Sequence, residues 1–163
     1  MIDTGQGTLT GGRVLRVREL LGDSPFLLTY GDGVSDIDLN DLVKFHEEHD
    51  GVMTMSSVKP FGRFGTFEKG ENGRVARFSE KPKGDGGSIN GGFFVCEPDL
   101  FECLVDGDLT VLEKGPMETL ALEGKLFFYE HQGFWKCMDT LKDKQELDEI
   151  YASGDAPWVT WTR

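Results

Sequence analysis

Phe26-Leu27-Leu28-Thr29-Tyr30-Gly31-Asp32-Gly33 is a short, nearly continuous apolar run that stops on a Gly-Asp-Gly turn. Such a run, bounded by glycines, reads as a central parallel strand opening into a loop. Toward the N-terminus, Leu15, Val17, Leu20 and Leu21 follow Arg13 with mostly helical spacing, and Gly22-Asp23-Ser24-Pro25 ends that helix. Ile2 to Gly12, rich in Gly and Thr, reads as a loop. Toward the C-terminus, Leu39, Leu42, Val43 and His46 fall at i, i+3, i+4 and i+7 behind Asp38, a suitable N-cap.

The rest of the chain continues the alternation. Val52 to Val58 reads as a strand, and Phe64 to Phe67 with Val75 to Phe78 as a hairpin around Glu71-Asn72-Gly73. A Gly-rich loop, Gly84 to Gly87, leads to the strand Gly92 to Val95. Pro98 starts a short helix, Met117 to Leu122 carries another closed by Gly124, and Lys125 to Tyr129 is a strand. Thr140 to Ile150 is the last long helix, with Leu141, Leu147 and Ile150 on one face. Alternating helices and strands indicate an α/β layered fold. The chain enters through a loop and a helix rather than a strand, so the sheet looks short on one side.

With 163 residues the default is a single domain. A domain of this size buries about 68–70% of its extended-chain surface, enough for a core without crosslinks. Lys and Arg total 17 against 29 Asp and Glu, a net charge of −12. That surface repels nucleic-acid and membrane phosphates, so a phosphate ligand needs local cations, backbone N–H groups or a divalent metal. Cys96, Cys103 and Cys137 lack metal-ligand spacing, and their odd number favours free thiols in a reducing compartment. Met1 to Gly5 has neither a basic start nor an apolar core, and no apolar run approaches the roughly 20 residues of a membrane span. A soluble, cytoplasmic protein is expected.

Several short motifs could carry chemistry. Asp32 follows an apolar strand directly, where open α/β sheets bind ligands, and its flanking glycines would let a phosphate or Mg²⁺ approach. An ordinary Gly-Asp-Gly turn explains it too. Glu80-Lys81-Pro82 could present one cation to a phosphate and a carboxylate to sugar hydroxyls, or be a solvated turn. Asn90-Gly91-Gly92 entering Phe93-Phe94 allows close ligand approach, or marks a β-bulge with a buried aromatic pair. Asp139 is either a second metal carboxylate or the N-cap of the following helix. At Thr10-Gly11-Gly12-Arg13, free N–H groups opening a helix would attract phosphate, although no Gly-rich phosphate fingerprint is matched.

Two patterns mislead. Asp36, Asp38, Asn40 and Glu47 occupy calcium-loop positions, but Asp41 stands where that loop needs Gly. His46-Glu47-Glu48-His49 is not the zinc-protease pattern and reads as a solvated helix face, and His131 has no evident partner.

Taken in order, these motifs carry more than each does alone. Thr10-Gly11-Gly12-Arg13, Tyr30-Gly31-Asp32-Gly33-Val34, Phe61-Gly62-Arg63-Phe64-Gly65, Glu80-Lys81-Pro82, Ile89-Asn90-Gly91-Gly92, Gly133-Phe134-Trp135, Met138-Asp139-Thr140 and Ala156-Pro157-Trp158 resemble, in order and spacing, those of glucose-1-phosphate cytidylyltransferases. The resemblance covers essentially the whole chain. It implies a mixed α/β, Rossmann-like nucleotidyltransferase fold with flanking helices and a small β-hairpin region. The 163 residues would be its C-terminal, sugar- and metal-binding part. The implied reaction joins CTP and glucose 1-phosphate into CDP-glucose and pyrophosphate with Mg²⁺. Asp32 and Asp139 would hold the metal, and Lys81 the sugar phosphate. Glu80 and Asn90, with Gly91, would meet the sugar, while Arg13, Thr8 and Gly31 would meet the nucleotide.

The departures matter as well. The family's strand followed by Gly-Gly-X-Gly-Thr-Arg, which cradles the triphosphate, is not in this sequence, and Gly115 stands where the family usually has Glu before Pro. Little or no turnover is expected of the isolated chain. An uncovered sheet edge, and with it a homo-oligomer, is expected too.

Overall fold

The structure is a computed structural model that describes residues 1–60, 66–69, 74–79 and 87–160, with the backbone alone at 66–69 and 75–79. In chain order, helices α1 (Thr10–Arg16) and α2 (Arg18–Leu21) precede strands β1 (Phe26–Thr29) and β2 (Gly33–Ser35). Helix α3 (Leu39–Glu47), then β3 (Met53–Val58), β4 (Thr66–Lys69), β5 (Val75–Ser79) and β6 (Ile89–Cys96) follow. Two 3-10 turns, Pro98–Cys103 and Gly107–Leu109, lead to α4 (Pro116–Leu122), β7 (Leu126–Glu130), β8 (Trp135–Cys137) and α5 (Leu141–Ser153). The chain divides into two compact units. One takes Met1–Tyr30, Asp38–Ser56 and Gly92–Tyr129, and the other Gly31–Ile37, Ser57–Gly91 and Glu130–Arg163.

The first unit is built on a four-stranded sheet in the order β1-β6-β3-β7. Phe94, Met53, Leu100, Leu112 and Leu120 fill its core with almost no exposure, each stabilising the fold by roughly 1.5–3 kcal/mol through burial. The expectation of a central parallel strand at Phe26–Tyr30 is corrected: among the described residues β1 is at the sheet's edge and runs antiparallel to β6, from Phe26↔Cys96 to Thr29↔Phe93. Phe26 and Leu28 pack against the core while Leu27 and Thr29 are exposed, the alternation of a strand covered on one face. A four-residue apolar run is too short to tell these cases apart by pattern.

The helix expected after Arg13 starts earlier, at Thr10, inside the segment read as a loop, and is split by Val17 at φ −103°, ψ 7°. Asp38 caps α3 as expected, accepting from the N–H groups of Asn40 and Asp41. That capping role also accounts for its place in the calcium-like pattern.

In the second unit, β2 and β8 form an antiparallel ribbon with register Gly33↔Cys137, Val34↔Lys136 and Ser35↔Trp135. Neither three-residue strand is predicted by periodicity. β4 and β5 pair antiparallel as the expected hairpin, and its turn, Glu71 to Gly73, lies outside the described residues. Helix α5 is capped by Thr140, whose hydroxyl accepts from the Asp143 N–H at 3.2 Å while Asp143 accepts from the Thr140 N–H. Leu147 is buried on α5 but Leu141 is 71% exposed, so the expected face of Leu141, Leu147 and Ile150 holds only in part.

Candidate functional site

The β2–β8 ribbon sets the geometry of the site. One step past its last residue pair, the Met138 N–H donates to the Asp32 carbonyl at 2.8 Å. Two carboxylates far apart in sequence, Asp32 and Asp139, thus sit on neighbouring strand ends within one compact unit. The alternative reading of Asp139 as a helix cap is overturned, because Thr140 fills that position. Cys137 Sγ donates to Asp139 Oδ2 at 3.3 Å. Burial first, and then this contact with Asp139, pushes the Cys137 thiol up, so it stays protonated and the donors on offer are hard carboxylate oxygens.

Gly31 opens the turn before β2 in the same unit. Asn90 and Gly91 belong to the same unit, where the Trp135 indole N–H donates to the Gly91 carbonyl at 2.7 Å. Gly33 leaves this corner open: a Cβ there would lie 3.7 Å from the Gly91 oxygen and 3.8 Å from the Trp135 ring nitrogen. Glu80 and Lys81 lie outside the described residues. Among the described residues no group of three or more His, Cys, Asp and Glu side chains forms a ready metal cage. Two carboxylates suit Mg²⁺ nonetheless, since that ion usually takes one or two from protein and completes its shell with phosphates and water.

Thr8 and Arg13 belong to the first unit. Thr8 is buried, and the Arg13 guanidinium donates to Thr4 Oγ1 at 2.6 Å. The expectation of free N–H groups at the start of α1 is corrected. Those of Gly11 and Gly12 donate to the Thr110 carbonyl at 2.9 and 3.2 Å, and that of Arg13 to Leu9. The glycines are there because the helix packs on bare backbone: a Cβ on Gly12 would lie 2.7 Å from the Asp108 oxygen.

Three polar arrangements escape a reading of the sequence. Glu113 accepts from the Tyr30 hydroxyl and, at 2.9 Å, from Thr10 Oγ1. These hydrogen bonds hold the Glu113 carboxyl below its ordinary value, against the opposing push of burial, the largest single influence. His46, expected on a solvated face, is 4% exposed and bonded to Thr54 and Glu97. It lies on the stripe begun by Leu39 and Leu42, a signal that was available. His131 does have a partner: its Nε2 is 2.9 Å from Asp36 Oδ1. At Gly115 the backbone φ is +83°, a left-handed conformation in which Gly fits and Glu would be strained.

The chain belongs to the nucleotidyl transferase family, whose model matches residues 5–132. It is 48% identical over 162 residues to the glucose-1-phosphate cytidylyltransferase of Salmonella typhi, covering 99% of this chain and 62% of that protein. It is 32% identical over 140 residues to the mannose-1-phosphate guanylyltransferase catalytic subunit beta of Danio rerio, covering 82% and 39%. The chain therefore spans about six-tenths of the cytidylyltransferase's length. The crystal structure of apo UDP-glucose pyrophosphorylase shares the fold, with TM-score 0.67 at 17% identity over 94% of this chain and 63% of that one. Among the described residues no helix is long and apolar enough to cross a membrane.

Proposed function

We propose that this chain is the sugar-phosphate- and metal-binding part of a transferase that moves a cytidylyl group from CTP to glucose 1-phosphate. A phosphate oxygen of the sugar phosphate bonds to the α-phosphorus of CTP, the bond to the β-phosphate oxygen breaks, and CDP-glucose and pyrophosphate leave. The observation that carries this is the Met138-to-Asp32 hydrogen bond, which joins the strand ends bearing the two carboxylates. The likeness to the Salmonella typhi cytidylyltransferase along 99% of the chain supports the choice of substrates.

Asp32 and Asp139 would hold Mg²⁺, whose chemistry when bound is to neutralise charge on the α-phosphate. Lys81 would grip the sugar phosphate, while Glu80 and Asn90 take sugar hydroxyls and Gly91 lets the ring approach backbone. Gly31 would contact the nucleotide. Catalysis of this kind is mainly positioning and charge neutralisation, which suits a site of fixed carboxylates and one cation. Turnover by the isolated 163 residues would be weak or nil, because they contain no Gly-Gly-X-Gly-Thr-Arg run to hold the triphosphate. Taken alone, the 163 residues would then act as a sugar-phosphate- or nucleotide-binding module without turnover.

The experiment is pyrophosphate release from CTP and glucose 1-phosphate with Mg²⁺, run beside calorimetry of each ligand. Binding that Asp32→Asn abolishes is the expected result. Absence of binding by either ligand overturns the assignment, and turnover of about 1 s⁻¹ or faster overturns the impairment. A homo-oligomer joined along β1 is part of this proposal, supported by that strand's position at the sheet edge. The three free thiols support a reducing, cytoplasmic location.

A further inference from the structure

A two-stranded ribbon of three residue pairs is marginal by itself, so something must hold β2 and β8 in register. The answer lies at the end of the ribbon away from Asp32 and Asp139. There the Asp36 carboxylate accepts the Phe134 N–H at 2.7 Å and faces His131 Nε2 at 2.9 Å. The Phe134 carbonyl, in turn, accepts from Ser35 Oγ at 2.8 Å, from the Asp36 N–H at 3.2 Å and from His131 Nε2 at 3.1 Å. Because both partners of His131 Nε2 are acceptors, that nitrogen carries the hydrogen. The His131 main chain is fixed as well, its N–H donating to the Ser57 carbonyl at 2.9 Å.

The clamp is enclosed as well as bonded. His131 and Asp36 side chains are 11% and 29% exposed. Gly133 has no room for a side chain: a Cβ would overlap Asp36 Oδ1 and stand 2.8 Å from His131 Cε1. Asp36 is four residues from Asp32, about 13 Å along an extended strand, so it does not share a ligand shell with it. Its effect on Asp32 runs through register. A one-residue slip turns every side chain of a strand to the other face, and here it would also change how the two proposed metal carboxylates face each other.

We propose that Asp36 and His131 are positioning residues that lock the far end of the β2–β8 ribbon and thereby set where Asp32 and Asp139 stand for a divalent cation. The proposal rests on the metal assignment made above. It also gives Asp36 a role its calcium-like spacing did not suggest, as an acceptor of N–H groups rather than a cation ligand.

The test measures Mn²⁺ binding to the 163-residue chain by electron paramagnetic resonance, with amide exchange at Met138 followed in parallel. Asp36→Ala and Gly133→Ala should weaken Mn²⁺ binding about tenfold, the usual effect of losing a supporting residue behind a metal ligand, and should speed Met138 exchange. Asp36→Asn keeps an oxygen that accepts both N–H groups and should restore binding to near the parent value, which a general loss of stability would not predict. Parent-like affinity in both Asp36→Ala and Gly133→Ala, while Asp32→Asn loses it, overturns the positioning role alone. Parent-like affinity in Asp32→Asn and Asp139→Asn overturns the metal assignment and the positioning role with it.

Discussion

The main-chain N–H of Met138 donates to the carbonyl oxygen of Asp32 at 2.8 Å. It continues the register of β2 and β8 by one step and leaves Asp139 as the next residue in line, ahead of the Thr140 cap. The proposed metal carboxylate and the helix cap thus fall on adjacent residues, and substitution can separate them. Thr140→Ala removes the oxygen that accepts the Asp143 N–H and should cost about 1 kcal/mol of stability. Asp139→Asn should change stability by less than about 0.5 kcal/mol yet abolish divalent-cation binding. Thermal melts with and without Mn²⁺ check both, and an Asp139→Asn loss as large as that of Thr140→Ala would return Asp139 to a structural role.

The order of helices and strands was largely legible because it depends on local patterns. The α3 stripe behind Asp38, the run Met53–Val58 and the glycine closing α4 each carry a signal within one element. The ribbon was not legible. Three residues cannot show a period of two, and Gly33-Val34-Ser35 and Trp135-Lys136-Cys137 have no common pattern. Asp32 and Asp139 could be singled out by motif, but only pairing across the ribbon brings them to one end. His131 and Asp36 escaped for the same reason, since the contact between them is made by the turn at Gly133 and not by spacing. The place of β1 was hidden too, because an edge is a property of the sheet.

Gly11 and Gly12 give a test of the corrected reading of the first helix. Ala is favoured over Gly in a helix by about 1 kcal/mol, so a free helix start would gain from the change. At Gly12, however, a new Cβ would meet the Asp108 backbone at 2.7 Å, and backbone cannot turn aside. Gly12→Ala should destabilise by about 1–3 kcal/mol. Gly11→Ala should cost less, because its nearest neighbour is the Thr110 methyl at 2.6 Å, a side chain that can shift. Gly7, with nothing within 4 Å of its added Cβ, is the control and should tolerate Ala. Equal stability of Gly12→Ala and Gly7→Ala in urea melts would refute the packing role.

The histidine network predicts a pH dependence. The Gly51 N–H donates to His49 Nδ1 at 3.0 Å, which leaves the hydrogen on His49 Nε2 to donate to Thr54 Oγ1 at 2.9 Å. Thr54 then donates to His46 Nδ1 at 2.7 Å, and His46 Nε2 to Glu97 at 3.2 Å. Every group is satisfied with His49 neutral. Burial first, and then the neighbouring His46, holds the His49 imidazole below its ordinary value of 6.5, against an opposing pull from Asp50. The unfolded chain therefore binds the proton more readily than the folded one. Stability from this source is full above pH 6.5, falls as the pH drops below it, and levels off beneath the folded value. Urea melts between pH 8 and pH 5 (about the window set by an ordinary imidazole) should show the fall. Thr54→Val leaves a donor and an acceptor unpaired and should cost about 1–3 kcal/mol at neutral pH. A flat profile in the parent would remove the ordered network.

The edge position of β1 makes the last prediction. An edge strand offers unpaired N–H and C=O groups to another chain, and natural edges are usually blunted by charge, proline or brevity. β1 has only brevity in its favour: Phe26-Leu27-Leu28-Thr29 contains no charge and no proline, and Leu27 is 52% exposed. The net charge of −12 opposes contact between two copies, but at about 0.15 M salt it is screened beyond roughly 8 Å, whereas strand pairing acts at about 5 Å. Pairing along β1 should therefore win at moderate salt and weaken as salt is removed. Light scattering of the 163-residue chain should show a species heavier than one copy, shifting toward a single copy at low ionic strength. Leu27→Lys should shift it further while changing the stability of the fold by no more than about 0.5 kcal/mol, since the side chain is half in water already. A single-copy mass at every salt concentration would show that β1 stays unpaired despite its composition, and would end the oligomer proposal.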